Sequence, residues 1–264
     1  MKAHRHIHRL HDERGFSLIE LLVSMLIGLV VTGAAFSILE FTTSDVKLTT
    51  ERAHLDQAGR IALQNIMLEL HSACVKVETR PIESGSNANE LLLLSERSPL
   101  NAVYKEPTSY IAEVRERKII FNEAAKTLTE KSWPTPYPKY EAAEPATPTK
   151  VLLLKGLRRT VQEGKEVPIF RYYRYYKSTD PIPTGDTTTP YGEIYPTPML
   201  ASELSNKEEL KLVTKVAVSF TLAPEGNEGV FAKGYRPIAF EDSAILRLAP
   251  AAETERNFTC TEKP

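Results

Sequence analysis

Hydrophobic and polar positions divide the start of the chain into two segments. Residues 1–15 hold almost no apolar bulk, whereas residues 16–39 are apolar apart from Glu20 and a few small hydroxyl side chains. About 20 apolar residues are enough to cross a bilayer as a helix. The pattern therefore predicts a transmembrane helix over residues 16–40.

A helical period continues beyond this apolar run. Apolar residues recur at spacings of three, four or seven as far as residue 73, and no proline lies between Phe16 and Arg80. Such a period indicates a helix with one buried stripe, and we predict a single helix from Phe16 to about Cys74. The buried stripe comprises Leu48, Leu55, Ala58, Ala62, Ile66, Leu70 and Ala73. The solvated face comprises Glu51, Arg52, Asp56, Arg60, Gln64 and Glu69.

After Pro81 the pattern changes to short strands separated by loops. Strands are predicted at 90–95, 117–122, 150–154, 167–176, 212–222 and 243–248. Within 212–222 the apolar residues alternate with polar or small ones, which is typical of a half-buried strand. Its apolar members are Val216, Val218, Phe220 and Leu222. Two proline-rich stretches, 134–148 and 181–198, are predicted to be surface loops. A long helix followed by strands predicts the α+β class.

Composition excludes several functional classes. The 264 residues are 42% hydrophobic and 25% charged, with a net charge of −1. These values are typical of a globular protein and give no bulk electrostatic attraction to nucleic acid. Two cysteines are too few for a disulfide-rich scaffold or a four-cysteine zinc site.

Charge around the apolar run predicts its orientation in the membrane. The preceding segment carries four basic residues against two acidic ones: Lys2, Arg5, Arg9 and Arg14 against Asp12 and Glu13. Positively charged flanks stay on the cytoplasmic side. We therefore expect residues 1–15 in the cytoplasm and the chain beyond residue 40 outside it.

Glu20 is the one charged residue within the apolar run. A carboxylate in a membrane helix costs on the order of 3 kcal/mol unless it is paired. No basic residue follows within a helical turn, and Arg14 lies six residues back, about 9 Å along a helix. An intramembrane acid of this kind indicates a function, and its partner is expected to be a cation from elsewhere.

The string Arg14-Gly15-Phe16-Ser17-Leu18-Ile19-Glu20-Leu21-Leu22-Val23, with the apolar stretch after it, resembles the prepilin cleavage and methylation motif. That motif occurs in type IV pilins and type II secretion pseudopilins. The resemblance implies cleavage after Gly15 by a prepilin peptidase and N-methylation of the new Phe16 amine. It also implies that Glu20 pairs with the Phe16 amine of a neighbouring subunit. An amine with a pKa near 8 is cationic at neutral pH and can neutralise a buried acid.

The same resemblance implies a domain organisation and a fold. Residues 1–15 are the leader, 16–40 the transmembrane and filament-core segment, 41–74 the extracytoplasmic half of the helix, and 75–264 a β-rich head. The expected fold is pilin-like, with the long helix packed on an antiparallel sheet. The order of elements, with the 170–176 strand before the 210–220 strand, is similar to the larger minor pilins of the PilW or GspJ type.

Partners and location follow from this resemblance. The expected partners are the prepilin peptidase and N-methyltransferase, other pilin or pseudopilin subunits, an inner-membrane assembly platform, and membrane lipid before assembly. The expected location is a single pass through the cytoplasmic (inner) membrane with the head outside, followed by a pilus or pseudopilus at the cell surface.

An ordinary secretory signal peptide is the alternative for the N-terminus. It also has a basic start, an apolar core and small residues near its cleavage site. Cleavage after the Gly33-Ala34-Ala35 stretch would release a soluble protein that begins at Phe36. The apolar core here exceeds the usual 7–15 residues of a signal peptide, which favours the prepilin interpretation.

The leader contains four histidines, His4, His6, His8 and His11. They leave with the leader and are not assigned to a metal site.

The sequence from Phe170 to Tyr176 interleaves arginine with aromatic residues. Aromatic and basic side chains in a groove can bind single-stranded nucleic acid, which would make Arg171, Tyr172, Tyr173 and Arg174 a ligand or DNA strand. Tyrosine is also a favoured strand residue, and a structural role in the core and sheet surface is the preferred interpretation. Nucleic acid is therefore a partner that the sequence does not favour.

Cys74 and Cys260 are the two cysteines. A disulfide is permitted outside the cytoplasm, and it would join the C-terminal tail to the end of the long helix. Two free thiols are the alternative. Pilins often carry a C-terminal staple of this kind, commonly with both cysteines late in the chain.

No enzymatic motif occurs in the chain. HExxH, GxSxG, P-loop and CxxC patterns are absent from the sequence, so no catalytic residue, cofactor or metal is predicted. The sequence favours a non-enzymatic minor pilin-like subunit of a type IV pilus or type II secretion pseudopilus. A pilus-borne adhesin or DNA-uptake receptor, and a secreted protein with an ordinary signal peptide, are the alternatives.

Overall fold

The structure is a computed structural model that describes residues 17–73, 81–95, 114–135, 144–181, 192–223 and 237–246. The predicted α+β class is confirmed, because one long N-terminal helix precedes strands that pair antiparallel. Helix α1 is Leu18–His71. The elements that follow it are β1 Glu90–Ser95, β2 Arg115–Asn122, β3 Thr127–Pro134, β4 Thr149–Lys155, β5 Leu157–Arg158, β6 Thr160–Gln162, β7 Lys165–Val167, β8 Phe170–Arg174, α2 Ala201–Leu204, α3 Lys207–Leu210, β9 Val213–Leu222 and β10 Ile238–Ile245.

The chain divides into two units after Arg52. In the first unit, residues 18–47 of α1 are exposed. Their length and apolar composition are sufficient for a membrane span. Hydroxyl side chains within this segment donate to carbonyls three or four residues earlier, for example Thr32 to Gly28 at 2.7 Å. Such bonds satisfy polar groups where water is absent.

The second unit begins at Ala53 and contains two main sheets. The first sheet has the order β1-β2-β3-β4. Its register places Leu91 opposite Ile119 and Phe121 opposite Leu128. These side chains share one hydrophobic core with the C-terminal part of α1. The prediction that this part of the helix buries one stripe is confirmed at Ala62, Ile66, Leu70 and Ala73.

The second sheet is built around β9, with β10 on one side and β5 and β8 on the other. The alternating apolar residues of β9 are buried as predicted. Ala217 and Ser219 on its opposite face are buried too, and the Ser219 N–H donates to the Ile169 carbonyl at 3.0 Å. The chain passes from the first sheet to the second at Gly156, where φ is +69° and a Cβ would lie 2.2 Å from the Ala223 carbonyl oxygen.

The prediction of a solvated helix face is wrong for one residue. Glu69 is buried, at 1% exposure, because its carboxylate lies 2.8 Å from Nε of Arg117 on β2. The helix also buries Gly59 and Met67, which the sequence interpretation did not assign to the stripe. His54 and His71 are exposed.

Strand predictions differ from the structure at several positions, and the short strands β5 and β6 lie outside the predicted strands. The predicted strand 167–176 is interrupted at Pro168 and Ile169, which separate β7 from β8. β3 was not predicted, because its residues are largely polar and are buried through pairing. The closing strand begins at Ile238, ahead of the predicted start at residue 243. Pro134 ends β3, while residues 144–148 and 196–198 form neither helix nor strand.

Candidate functional site at the start of the helix

Helix α1 begins with a side-chain cap. The Glu20 N–H donates to the Ser17 carbonyl at 3.0 Å and to Ser17 Oγ at 3.2 Å. Ser17 thus occupies the N-cap position, and Glu20 stands three residues later, the spacing of a capping box. The cap places Glu20 in the first turn of the helix.

Glu20 is the one ionisable residue between Leu18 and Leu39. Its side chain is exposed. Among the described residues, no basic side chain forms an ion pair with it. The apolar residues around it, Leu18, Ile19, Leu21 and Leu22, are exposed as well. This segment therefore presents an apolar surface with one acid near its start.

A comparison with family models identifies a prokaryotic N-terminal methylation motif at residues 10–36. The start of the chain therefore supports a type IV pilin-like or pseudopilin precursor. A comparison with curated proteins finds no match. The matched range contains Gly15, Phe16 and Glu20, and the motif implies processing by a prepilin peptidase and assembly with other pilins. The membrane-spanning character of the helix fits a pilin anchored in the inner membrane.

Several predicted site residues lie outside the part of the chain that the structure describes. Gly15 and Phe16 precede it, and Cys74 and Cys260 fall in two of the undescribed segments. Their roles in cleavage, methylation and disulfide formation stay predictions. In the described residues, no group of three His, Cys, Asp or Glu side chains is arranged to hold a metal.

The inward face of β8 packs into the hydrophobic core. Phe170 and Tyr172 are each 1% exposed. The Tyr172 hydroxyl donates to the Glu90 carbonyl at 2.8 Å, and burial raises the pKa of Tyr172 above its usual value. Tyr172 thus serves the core and links β8 to the start of β1.

Arg174 lies at the end of the same face and joins two parts of the chain. Its guanidinium contacts both Asp180 carboxylate oxygens, at 2.5 and 2.8 Å, and lies 3.6 Å from Glu203. It also stacks 4.9 Å from the centre of the Tyr195 ring. The Arg174 hydrogen bond lowers the pKa of Asp180. Arg174 therefore ties the residues before the 182–191 segment to those after it.

The outward face of β8 carries Arg171 and Tyr173. Arg171 forms an ion pair with Glu241 of β10, and the Tyr173 ring lies 5.3 Å from the Lys215 ammonium. All four residues of the suggested ligand strand are therefore engaged within the head. This arrangement supports a structural role for β8.

Proposed function

We propose that this chain is a minor pilin-like structural subunit of a type IV pilus or a type II secretion pseudopilus. It is processed after Gly15 and assembled through its N-terminal helix on an inner-membrane platform. The observation that carries the proposal is the methylation motif at residues 10–36, which includes the start of an exposed apolar helix. The 264-residue length and two proline-rich stretches favour a low-copy or tip position, because such a head would crowd a tightly packed shaft.

Glu20 is the residue that the proposal uses for assembly. Its carboxylate is placed by the Ser17 cap near the start of the helix and has no cationic partner among the described residues. A protonated Phe16 amine from a neighbouring subunit would supply that partner. The charge on each group offsets the cost of placing the other in an apolar interior.

Glu20→Gln tests this role. We expect the variant to insert and to be cleaved after Gly15, because the scissile bond is unchanged and a membrane-buried charge has been removed. Its incorporation beside wild-type subunits should fall by about tenfold or more, since an unpaired amine in an apolar interior costs several kcal/mol. Incorporation is measured by immunoblotting sheared filaments for a tagged copy.

Glu40→Gln is the matched control for this experiment. Glu40 lies in the same helix, just beyond the apolar run, and it is exposed. The control variant should assemble at the wild-type level. Wild-type incorporation of Glu20→Gln would contradict the pairing role. The N-terminal residue of each variant should be analysed too, because loss of the acid also affects methylation under this proposal.

A further inference from the structure

The C-terminal end of α1 is joined to the first sheet by a buried ionic cluster centred on Arg117. The Arg117 side chain is fully buried. Its Nε lies 2.8 Å from Glu69 Oε2, and its Nη1 lies 2.5 Å from Glu130 Oε1. Glu69 and Glu130 are buried as well, at 1% and 5% exposure. One guanidinium therefore connects α1, β2 and β3.

Two serines extend the cluster to β1. Ser95 Oγ donates to Glu69 Oε2 at 2.8 Å, and Ser72 Oγ lies 2.8 Å from Ser95 Oγ. The Glu69 carboxylate is thus held from both β1 and β2. The hydrogen bond from Ser95 is directional, so it restricts the position of the Glu69 carboxylate more narrowly than apolar contacts would.

A second contact holds the same helix ten residues earlier, against the other sheet. Gly59 faces the Phe240 ring of β10, and a Cβ at this position would lie 2.4 Å from it. The opposite side of the helix carries the half-exposed Ile61 and Leu68. The two contacts together define which side of residues 53–71 is covered.

Stability alone does not account for the cluster. Replacing a buried ion pair by apolar residues of similar volume is often neutral or stabilising. The neighbours of Glu69, such as Ile66 and Leu70, already bury the helix through apolar contacts. A helix held only by such side chains tolerates small rotations, whereas a buried polar residue specifies the register of some coiled coils.

We propose that the Glu69–Arg117 pair is a rotational lock for residues 53–71 of α1. It sets which helix face remains uncovered by the sheets, namely the face with Ile61 and Leu68. The inference rests on the proposed function in one respect: in an assembly made through α1, the uncovered face is the one that a neighbouring subunit meets. Arg117 is then a positioning residue for assembly.

The structure supplies a matched pair of variants, Glu69→Met and Glu130→Met. Each removes one carboxylate from Arg117 and substitutes a flexible apolar side chain of similar length. Only Glu69→Met removes the ionic link between α1 and the first sheet, because Glu130 and Arg117 both belong to that sheet. A general effect of removing buried charge would change both variants alike.

Hydroxyl-radical footprinting with mass spectrometry measures the rotation on the full chain in detergent. In the wild type, Leu68 is 51% exposed and Leu70 is 1% exposed, so Leu68 should be labelled several-fold more than Leu70. We expect Glu69→Met to reduce this ratio to half or less and Glu130→Met to retain it. Equal ratios in all three proteins would overturn the lock.

Glu69→Gln and Glu130→Gln repeat the comparison if the methionine variant at residue 69 does not fold. These substitutions keep side-chain volume and weaken the ion pair, and the same difference between the two positions is expected. The footprint is read on unassembled subunits. A negative result therefore rejects the lock without bearing on the filament role, and failure of the Glu20 experiment leaves the lock intact.

Discussion

Two acids of helix α1, Glu20 and Glu69, show how the same residue type is used differently in one element. Glu20 is exposed and has no ion-pair partner among the described residues, whereas Glu69 is buried against Arg117 and Ser95. The first is available to a cation from another molecule. The second is committed to holding the helix against the first sheet.

Asp180 gives a pH dependence that can be measured. The hydrogen bond from Arg174 lowers its pKa below the ordinary value. A group whose pKa is lower in the folded state stabilises the protein above its unfolded pKa, about 3.9, and loses that contribution as pH falls through the folded pKa. We expect Asp180→Asn to lower the free energy of unfolding at pH 7 by about 2 kcal/mol.

The difference between wild type and Asp180→Asn should shrink as the pH falls from about 5 toward 2, in thermal unfolding of the full chain in detergent. Asp242→Asn is the control, since Asp242 is an exposed acid of β10. It should change stability little at any pH. A difference at residue 180 that is constant down to pH 2 would show that the Arg174 pair contributes no such pH dependence.

Individual residues differ in how far the sequence predicts their roles. Glu20 is conspicuous because an acid stands alone in an apolar run. The role of Glu69 is not visible in the sequence, because its partner Arg117 lies in a strand far along the chain. Nothing in the sequence near Arg117 or Glu130 indicates that these residues pair. The Arg174–Asp180 pair has a weaker signal, an acid six residues after an arginine, whose meaning depends on the turn at 177–180.

Among the elements, the packing of α1 against β10 requires a residue without a side chain at position 59. Alanine there would gain about 1 kcal/mol of helix propensity, but its Cβ would lie 2.4 Å from the Phe240 ring. Overpacking of this kind costs about 1–3 kcal/mol. We expect Gly59→Ala to lower the melting temperature of the head, with Gln57→Ala as the exposed control that changes it little.

Phe240→Leu tests the cause of that loss. The smaller side chain should recover part of the stability of Gly59→Ala while destabilising the parent protein, because it leaves space beside glycine. Equal effects of Phe240→Leu in both backgrounds would show that the two residues are not coupled, and the contact would then have no role in placing the helix.

Strands were predicted correctly where apolar residues alone indicate burial. ELLLLS at 90–95 and the alternation in β9 both encode burial directly in apolar residues. β3 has the sequence TLTEKSWP, and its Glu130 is buried only because Arg117 pairs with it. β8 ends at Arg174, whose side chain contacts Asp180. The edge of β8 that does not pair with β9 accepts hydrogen bonds from the backbone N–H groups of Tyr195 and Met199. These features depend on tertiary contacts that short-range patterns do not contain.

For the whole molecule, the arrangement of charges does not favour binding to nucleic acid. Arg171 and Arg174 are neutralised by Glu241 and Asp180, and the net charge of the chain is −1. Binding to a phosphate backbone requires an excess of basic side chains. We expect the full chain in detergent to leave single- and double-stranded DNA unretarded in electrophoretic mobility assays near physiological salt. Retardation that Arg171→Ala with Tyr173→Ala abolishes would establish a nucleic-acid site on β8 instead.

The N-terminus is the feature on which the whole account depends. Under the proposed function a prepilin peptidase cuts after Gly15, before the apolar helix, whereas a signal peptidase would cut after the apolar core, near Ala35. Gly15→Leu should therefore leave full-length protein in the membrane. The same variant would be processed normally if cleavage took place near Ala35.

Mass spectrometry of the N-terminal peptide of the mature protein distinguishes the two cleavage sites. We expect a chain that begins at N-methylated Phe16 and retains Glu20 and the apolar helix beyond it. A chain that begins at Phe36 would contradict the proposed function, because a subunit without that helix has no apolar segment to pack into a filament.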